Sequence, residues 1–126
     1  MYYPVLTSNE TESAQQKEMA TPMIYEMRTY DVKPGLLPAY LKIFKEVGML
    51  AREPHNNLVG FWFTEFGALS QVVHIWKWDS LDQRAVLRGE LMQNPKWAND
   101  FLPIAMPMLD RMSSVIMNPT EFSPLK

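Results

Sequence analysis

Residues 57 to 78 have the sequence Asn57-Leu-Val-Gly-Phe-Trp-Phe-Thr-Glu-Phe-Gly-Ala-Leu-Ser-Gln-Val-Val-His-Ile-Trp-Lys-Trp78, in which two runs of β-branched and aromatic residues flank a turn with Gly67. Such runs on either side of a glycine-containing turn are typical of a β-hairpin. The hairpin holds three of the four tryptophans of the chain and one of its two histidines. A binding cavity is therefore expected to take one wall from it.

The length and composition of the chain limit the classes to which it can belong. A chain of 126 residues fits one domain with a substantial core. The absence of cysteine excludes disulfide-rich folds and thiolate metal sites. No apolar run reaches the roughly 20 residues that span a bilayer, and the N-terminus lacks the pattern of a signal peptide. We therefore predict a cytoplasmic protein without a membrane span.

The charge distribution separates an N-terminal extension, residues 1 to 22, from a domain, residues 23 to 126. The extension is polar and aperiodic, and its three glutamates against one lysine account for the formal net charge of -2. Tyr2, Tyr3 and Leu6 are its candidates for packing on the domain or on a partner subunit. Because the domain has no surplus of Lys and Arg with which to neutralise phosphates, we predict no nucleic-acid binding.

The segments around the hairpin alternate between strand and helix patterns. Residues 23 to 31 alternate as a strand, and a helix from Leu37 to about Arg52 should end before Pro54. After the hairpin, Ser80 can cap a helix that runs to about Met92, with Gln83 completing a capping box. Asn94-Pro95 then starts a helical segment that two further prolines should split, and a strand covers residues 112 to 117.

The resulting order, β-α-β-β-α-β, predicts an α+β sandwich of the ferredoxin-like type, with helices on one face of an antiparallel sheet. The other face would carry Trp62 and other hairpin aromatics. An apolar patch of that size is not expected to stay exposed to solvent on a monomer, so a second sheet should cover it. We therefore predict a homodimer.

Strand parity indicates a set of candidate ligand-binding residues. Alternation places Glu26, Arg28 and Tyr30 on one side of the first strand, with His74 and Trp76 on one side of the third. We expect these groups on the sheet face away from the helices, which would instead contact Tyr25, Met27 and Val73. The candidate set is Glu26, Arg28, Tyr30, Trp62, His74 and Trp76.

Each candidate has a structural and a functional interpretation. His74 is either a hydrogen-bonded core residue or a proton acceptor with a pKa near neutral. Glu26 and Arg28 form either an ion pair or a clamp for a carboxylate or enolate. Two histidines without fixed spacing predict no metal site, and five scattered glycines form no phosphate or dinucleotide loop, so no cofactor is predicted.

Several separated segments resemble the NIPSNAP family, within the dimeric α+β barrel superfamily. They are Met23-Ile-Tyr-Glu-Met-Arg-Thr-Tyr30 with Val32-Lys-Pro-Gly35, Asn57-Leu-Val-Gly-Phe-Trp62, Thr64-Glu65, Gln71-Val-Val-His-Ile-Trp76, Ser80-Leu81 and Phe122-Ser-Pro-Leu125. The resemblance implies two ferredoxin-like sheets that form a barrel across a dimer, with a cavity in each half. It implies little about chemistry, because the family is largely without an assigned activity.

Two function classes follow from the resemblance and the candidate residues. The first is a homodimeric barrel that binds a small apolar or aromatic ligand in its cavity. The alternative is a cofactor-independent monooxygenase or a haem-degrading-type oxygenase, because such enzymes occur among dimeric α+β barrels. Residues 113 to 118 lack the charged residues that many relatives carry there, so no charged ligand contact is expected from the last strand.

Overall fold

The computed structural model describes residues 22–126 of the chain. The predicted packing of Tyr2, Tyr3 and Leu6 lies outside the described residues, as does the predicted extension apart from Pro22. Within the described part, no helix is both long and apolar enough to cross a membrane.

Four strands form one antiparallel sheet, and their order confirms the predicted ferredoxin-like topology. The strands are β1 (Ile24–Val32), β2 (Leu58–Phe63), β3 (Gln71–Trp78) and β4 (Leu109–Met117). Their order in the sheet is β2-β3-β1-β4, so the central β1 pairs with both β3 and β4. Strand β4 begins three residues before the predicted start at Met112.

The predicted β-hairpin is formed by β2 and β3. The backbone φ angle is positive at two residues of its turn, Gly67 (87°) and Ser70 (54°). A glycine adopts a positive φ without steric cost. The Thr64 hydroxyl donates a hydrogen bond of 2.5 Å to the carbonyl of Ala68, and the Thr64 amide donates one of 2.9 Å to the carbonyl of Gln71. The side chain and backbone of Thr64 therefore close the loop at its base.

The first helix, α1, has three consecutive segments: Leu37–Ile43, a π-helical segment Phe44–Gly48, and Met49–Ala51. A short 3₁₀ turn, Glu53–His55, follows it and confirms the predicted end before Pro54. At Gly48 an added Cβ would lie 3.0 Å from the ring of Phe101. Glycine at this position lets α1 approach that ring closely.

The second helix, α2 (Leu81–Gln93), begins as predicted. The Ser80 hydroxyl accepts a hydrogen bond of 3.0 Å from the amide of Gln83, while the Gln83 side chain reaches back to the amide of Asp79. The third helical segment, α3, starts at the predicted Asn94 cap, whose side chain accepts from the amide of Lys96. Its prolines split it as expected, into a π-helical, an α-helical and a 3₁₀ part: Lys96–Phe101, Leu102–Ala105 and Met106–Met108.

The core lies between the helices and one face of the sheet. Its buried apolar residues are Tyr30, Val32, Tyr40, Phe44, Ala51, Val72, Trp76, Trp78, Trp97, Phe101 and Ala105. The sheet contributes alternate residues of β1 and β3 to this core. We call this side of the sheet, which includes Glu26, Arg28, Tyr30, His74 and Trp76, the covered face.

The prediction that the covered face would point away from the helices is wrong. Arg84 of α2 bonds Glu26, and Phe44 of α1 lies 5.9 Å from His74, measured between ring centroids. Strand parity sorted the residues of β1 and β3 correctly into two sets, but it does not say which set lies under the helices. The polar set lies there because Glu26 finds hydrogen-bond donors on α2 and β4.

The opposite side of the sheet, which we call the open face, carries Tyr25, Met27, Trp62, Val73 and Val115. Trp62 was predicted to share a face with His74, which is also wrong. In the register of the hairpin, Phe61 lies opposite His74 and Trp62 lies opposite Val73, so Trp62 points the other way. Trp62 is 53% exposed, and its ring lies over Gly60.

Candidate functional site

A cavity of about 180 Å³ lies between the covered face and the helices. We call it the aromatic cavity, because Tyr30, Tyr40, Phe44, Trp76, Trp97 and Phe101 line it, together with Arg28, Arg52, His74 and Arg88. A cavity of about 150 Å³ can hold a benzene molecule. The aromatic cavity therefore has room for one six-membered ring with a small substituent.

Glu26 is the centre of a hydrogen-bond network behind the cavity. Its side chain is fully buried, and one carboxylate oxygen accepts from Trp78 Nε1 (3.1 Å) and Arg84 Nε (3.0 Å). The other accepts from an Arg28 nitrogen (2.7 Å), from Arg84 (3.0 Å) and from the Ser114 hydroxyl (2.5 Å). Five donors thus satisfy the carboxylate.

The network determines the ionisation of Glu26. Burial by itself disfavours the carboxylate, but the hydrogen bonds from Arg84 and Ser114 and the charge of Arg28 outweigh burial and lower the pKa of Glu26 to about 2. Arg28 also donates from Nε to the Tyr30 hydroxyl at 2.5 Å. The predicted ion pair between Glu26 and Arg28 is therefore confirmed, and it orients Tyr30 at the cavity wall.

His74 is held in one orientation by aromatic neighbours. It is 2% exposed, and its ring stacks on Phe61 with a centroid distance of 4.6 Å and an interplanar angle of 6°. Trp76 donates a hydrogen bond of 2.6 Å from its indole nitrogen to Nδ1 of His74. A neutral imidazole that accepts at Nδ1 carries its proton on Nε2.

The protonation of His74 does not suit the predicted role of proton acceptor. Burial, followed by the charges of Arg28 and Arg52, lowers the pKa of His74 to about 3, so the ring is neutral at pH 7. Its Nε2 is buried and has no hydrogen-bond partner within residues 22–126. His74, which lines the cavity, is therefore a neutral N–H donor rather than a base.

Arg52 and Arg88 bring two further positive charges to the cavity. Arg52 is 8% exposed, and its guanidinium carbon lies 3.8 Å from the ring centroid of Trp76 and 5.1 Å from that of Trp97. Burial and the charge of Arg88 lower the pKa of Arg52 to about 10. In the described part of the chain, neither arginine has a carboxylate oxygen within 4.0 Å.

A second cavity, of about 190 Å³, lies on the other side of these two arginines. Arg52 and Arg88 line both cavities, so we call the second one the lateral cavity. At its edge, His55 and Glu90 are 3.1 Å apart and about half exposed. The arginine pair therefore forms the wall between an aromatic space and a more polar one.

The structure brings together five of the six predicted site residues. Arg28, Tyr30, His74 and Trp76 line the aromatic cavity, and Glu26 lies directly behind them. Trp62 does not belong to the site, because it lies on the open face. Within residues 22–126, no three His, Cys, Asp or Glu side chains are close enough together to hold a metal ion.

Three arginines of the site were not predicted from the sequence. The sequence predicted Arg52 only as the approximate end of α1, and it indicated no role for Arg84 or Arg88 of α2. The four-residue spacing of Arg84 and Arg88 was the available signal, since it puts both on one helix face. This spacing alone does not show what the helix face contacts. In the structure α2 lies over β1, and Arg84 bonds Glu26, 58 residues away.

Comparisons with known proteins agree with this architecture. A NIPSNAP family model matches residues 25–124. A solved NIPSNAP family protein with unknown function from Agrobacterium tumefaciens is 42% identical, with a TM-score of 0.79 over 84% of this chain and 96% of that one. A solved protein from Bacteroides thetaiotaomicron, described as a possible antibiotic biosynthesis monooxygenase, has a TM-score of 0.64 over 85% of this chain and 97% of that one, at 11% identity. The second likeness concerns the fold alone.

The curated relatives are longer than this chain. Protein NipSnap homolog 3A of Pongo abelii is 36% identical over 95 residues, which are 75% of this chain and 38% of the relative. The human protein of the same name is 35% identical over the same shares of both chains. The matched segment therefore spans little more than a third of these relatives.

Proposed function

The chain belongs to the NIPSNAP family, and from that premise we propose that it binds a small aromatic or apolar molecule in the aromatic cavity. The solved relative of highest similarity reported above has no known function, and the curated relatives are much longer. The proposal therefore rests on the chemistry of the cavity. It places the ligand between the sheet and the helices of one subunit.

The observation that carries the proposal is the N–H of His74. A buried donor without a partner costs about 1–3 kcal/mol, so a structure keeps one where something else accepts its hydrogen bond. Phe61 and Trp76 fix the imidazole, and the cavity it lines is mostly apolar, with three arginines. A ligand with one ring and one acceptor oxygen would satisfy His74 and fill the space.

Tryptophan fluorescence provides a direct test, because Trp76 and Trp97 line the cavity. Single-ring compounds with an acceptor oxygen should quench the emission with saturation. The variant His74→Phe keeps a ring against Phe61 but removes the donor, and it should bind such compounds at least about tenfold more weakly. His55→Phe, which changes the exposed histidine outside the aromatic cavity, is the matched control. Equal binding by both variants and the wild type would count against the proposal.

We further propose that two copies pair through their open faces to form a barrel. Trp62 is 53% and Val115 is 47% exposed there, and no described helix covers the face. An exposed apolar sheet of this kind is typical of a subunit interface. Light scattering at micromolar concentration should give twice the mass of one chain, and a monomer would contradict the pairing.

An oxygenase is the second candidate function. The neutral N–H of His74 beside the aromatic cavity is suited to hydrogen-bond an oxygen that gains negative charge, as in an electron-rich phenol undergoing oxidation. Oxygen uptake by the wild type with quinols or haem should then exceed that of His74→Phe. Uptake that is absent, or equal in both proteins, leaves ligand binding as the only function supported.

A further inference from the structure

The wall between the two cavities contains more positive charge than residues 22–126 neutralise. Four arginines, Arg28, Arg52, Arg84 and Arg88, surround the site, and Glu26 is the buried carboxylate among them. Glu26 already accepts from five donors, two of which belong to Arg84 and one to Arg28. It has no capacity left for the other two arginines.

Arg52 is the more constrained of the two remaining cations. Its guanidinium packs against Trp76, and its Nε is buried without a hydrogen-bond partner within residues 22–126. Burial and neighbouring positive charges lower the pKa of Arg52 and of Arg88, which means that the protonated forms are held at a cost. An anion beside the pair would remove that cost.

We propose that the ligand of the aromatic cavity carries a carboxylate, which binds to Arg52 and Arg88 while its ring lies among the aromatic residues. This inference rests on the proposed ligand-binding function and specifies its chemical class. A carboxylate is planar and offers two acceptor oxygens, which suits guanidinium groups. The volume of about 180 Å³ accommodates one ring with a short acidic side chain.

Matched acids and amides test the inference by isothermal titration calorimetry on the full chain. Benzoate, phenylacetate and 3-phenylpropionate are each compared with the amide of the same shape at pH 7. Since hydrogen bonds to charged groups exceed those between neutral groups, at least one acid should bind about tenfold or more tightly than its amide.

Arginine variants show which side chains cause the preference for the acid over the amide. Arg88→Met should remove the preference for the acid while leaving the affinity for the amide within about twofold. Arg111→Met removes an exposed arginine of β4 and should keep the full preference. Arg52→Met should remove the preference for the acid, as Arg88→Met does. A melting curve establishes whether this variant folds without the guanidinium between Trp76 and Trp97. If it does not fold, Arg88→Met decides the question alone.

The outcomes separate this inference from the proposed function. Equal binding of acids and amides would overturn the carboxylate and leave aromatic ligand binding in place. Tighter binding of phenyl phosphate than of every carboxylate would also overturn it. If neither acids, amides nor neutral single-ring compounds bind, the inference and the proposed function both fail. A preference that survives Arg88→Met would show that the carboxylate binds elsewhere.

Discussion

The two faces of the sheet have the opposite character to that expected of a small monomeric domain. The covered face contains the charged residues Glu26 and Arg28 beneath the helices, whereas the open face exposes Trp62 and Val115. The difference shows that burial depends on available partners as well as on polarity. Five donors compensate for burying Glu26, while nothing in the described part of the chain is placed to cover Trp62.

The largest effect should follow the removal of the charge at the centre of the covered face. Glu26→Gln removes the counter-ion of Arg28 and Arg84, whose side chains are 14% and 27% exposed, and should lower the free energy of unfolding by about 3–5 kcal/mol. Urea denaturation measures this change. Glu46→Gln, on the exposed side of α1, is the matched control and should stay within about 0.5 kcal/mol. Similar losses in both variants would mean that the Glu26 network is not what stabilises this face.

The second effect is the dependence of stability on pH. The pKa of His74 falls from 6.5 to about 3 on folding, so below pH 6.5 the unfolded chain binds a proton that the folded chain does not. Stability is therefore fully present above pH 6.5 and is lost as the pH falls towards 3, with a slope of up to about 1.4 kcal/mol per pH unit.

The folded-state pKa of Glu26 is also depressed, from 4.5 to about 2, so its contribution is lost only below pH 4.5. The free energy of unfolding of His74→Phe, measured by denaturation, should therefore not change with pH between 6.5 and 4.5. Below pH 4.5 it should still fall as the pH is lowered. A wild-type stability that is flat between pH 6.5 and 4.5 would show that His74 is not buried in its neutral form.

A charge placed on the open face should affect assembly more than folding. Val115→Asp puts a carboxylate at the proposed interface of each subunit, and should weaken self-association at least about tenfold. Sedimentation at several concentrations measures the dissociation constant. Val86→Asp, at an exposed position of α2, is the matched control and should leave the association unchanged. If both variants assemble as the wild type does, Val115 lies outside the interface.

The smallest effect concerns the start of α2, the helix that carries Arg84 and Arg88 over the covered face. Ser80→Ala removes the hydroxyl that accepts from the amide of Gln83, and should lower the free energy of unfolding by about 1 kcal/mol. Thermal denaturation is sufficient to measure it. Ser80→Asn keeps a cap and should recover most of the loss, and if it does not, the capping hydrogen bond is not the cause.

Local signals in the sequence predicted most of the fold. The helix starts and the split of α3 were predicted from Ser80, Asn94 and the two prolines of α3. These residues act within a few residues of their own positions. Alternation in β1 and β3 predicted which residues share a face for the same reason.

The location of the site needed contacts between distant segments. Glu26 meets Arg84 58 residues away and Ser114 88 residues away, and neither contact leaves a mark in the sequence around Glu26. Alternation along β1 does not predict these partners, so it could not show which face lies under the helices, and the faces were assigned in reverse. Trp62 was misplaced because the register between β2 and β3 shifts between Leu58 and Gly60, which alternation along one strand does not reveal.

The π-helical segments of α1 and α3 limit where this chain can change its length. Phe44–Gly48 and Lys96–Phe101 face each other at the aromatic cavity, and Gly48 of one approaches Phe101 of the other. Each wide turn holds one residue more than an α-turn would. Deleting that residue would convert the wide turn into an α-turn and leave the helix faces beyond it in place. Deleting a residue from a regular α-helical part would instead rotate everything beyond it by about 100° and turn the cavity rings away. Single-residue insertions and deletions in the helices of related chains should therefore fall at these two segments, and longer ones in the hairpin loop at residues 64 to 70.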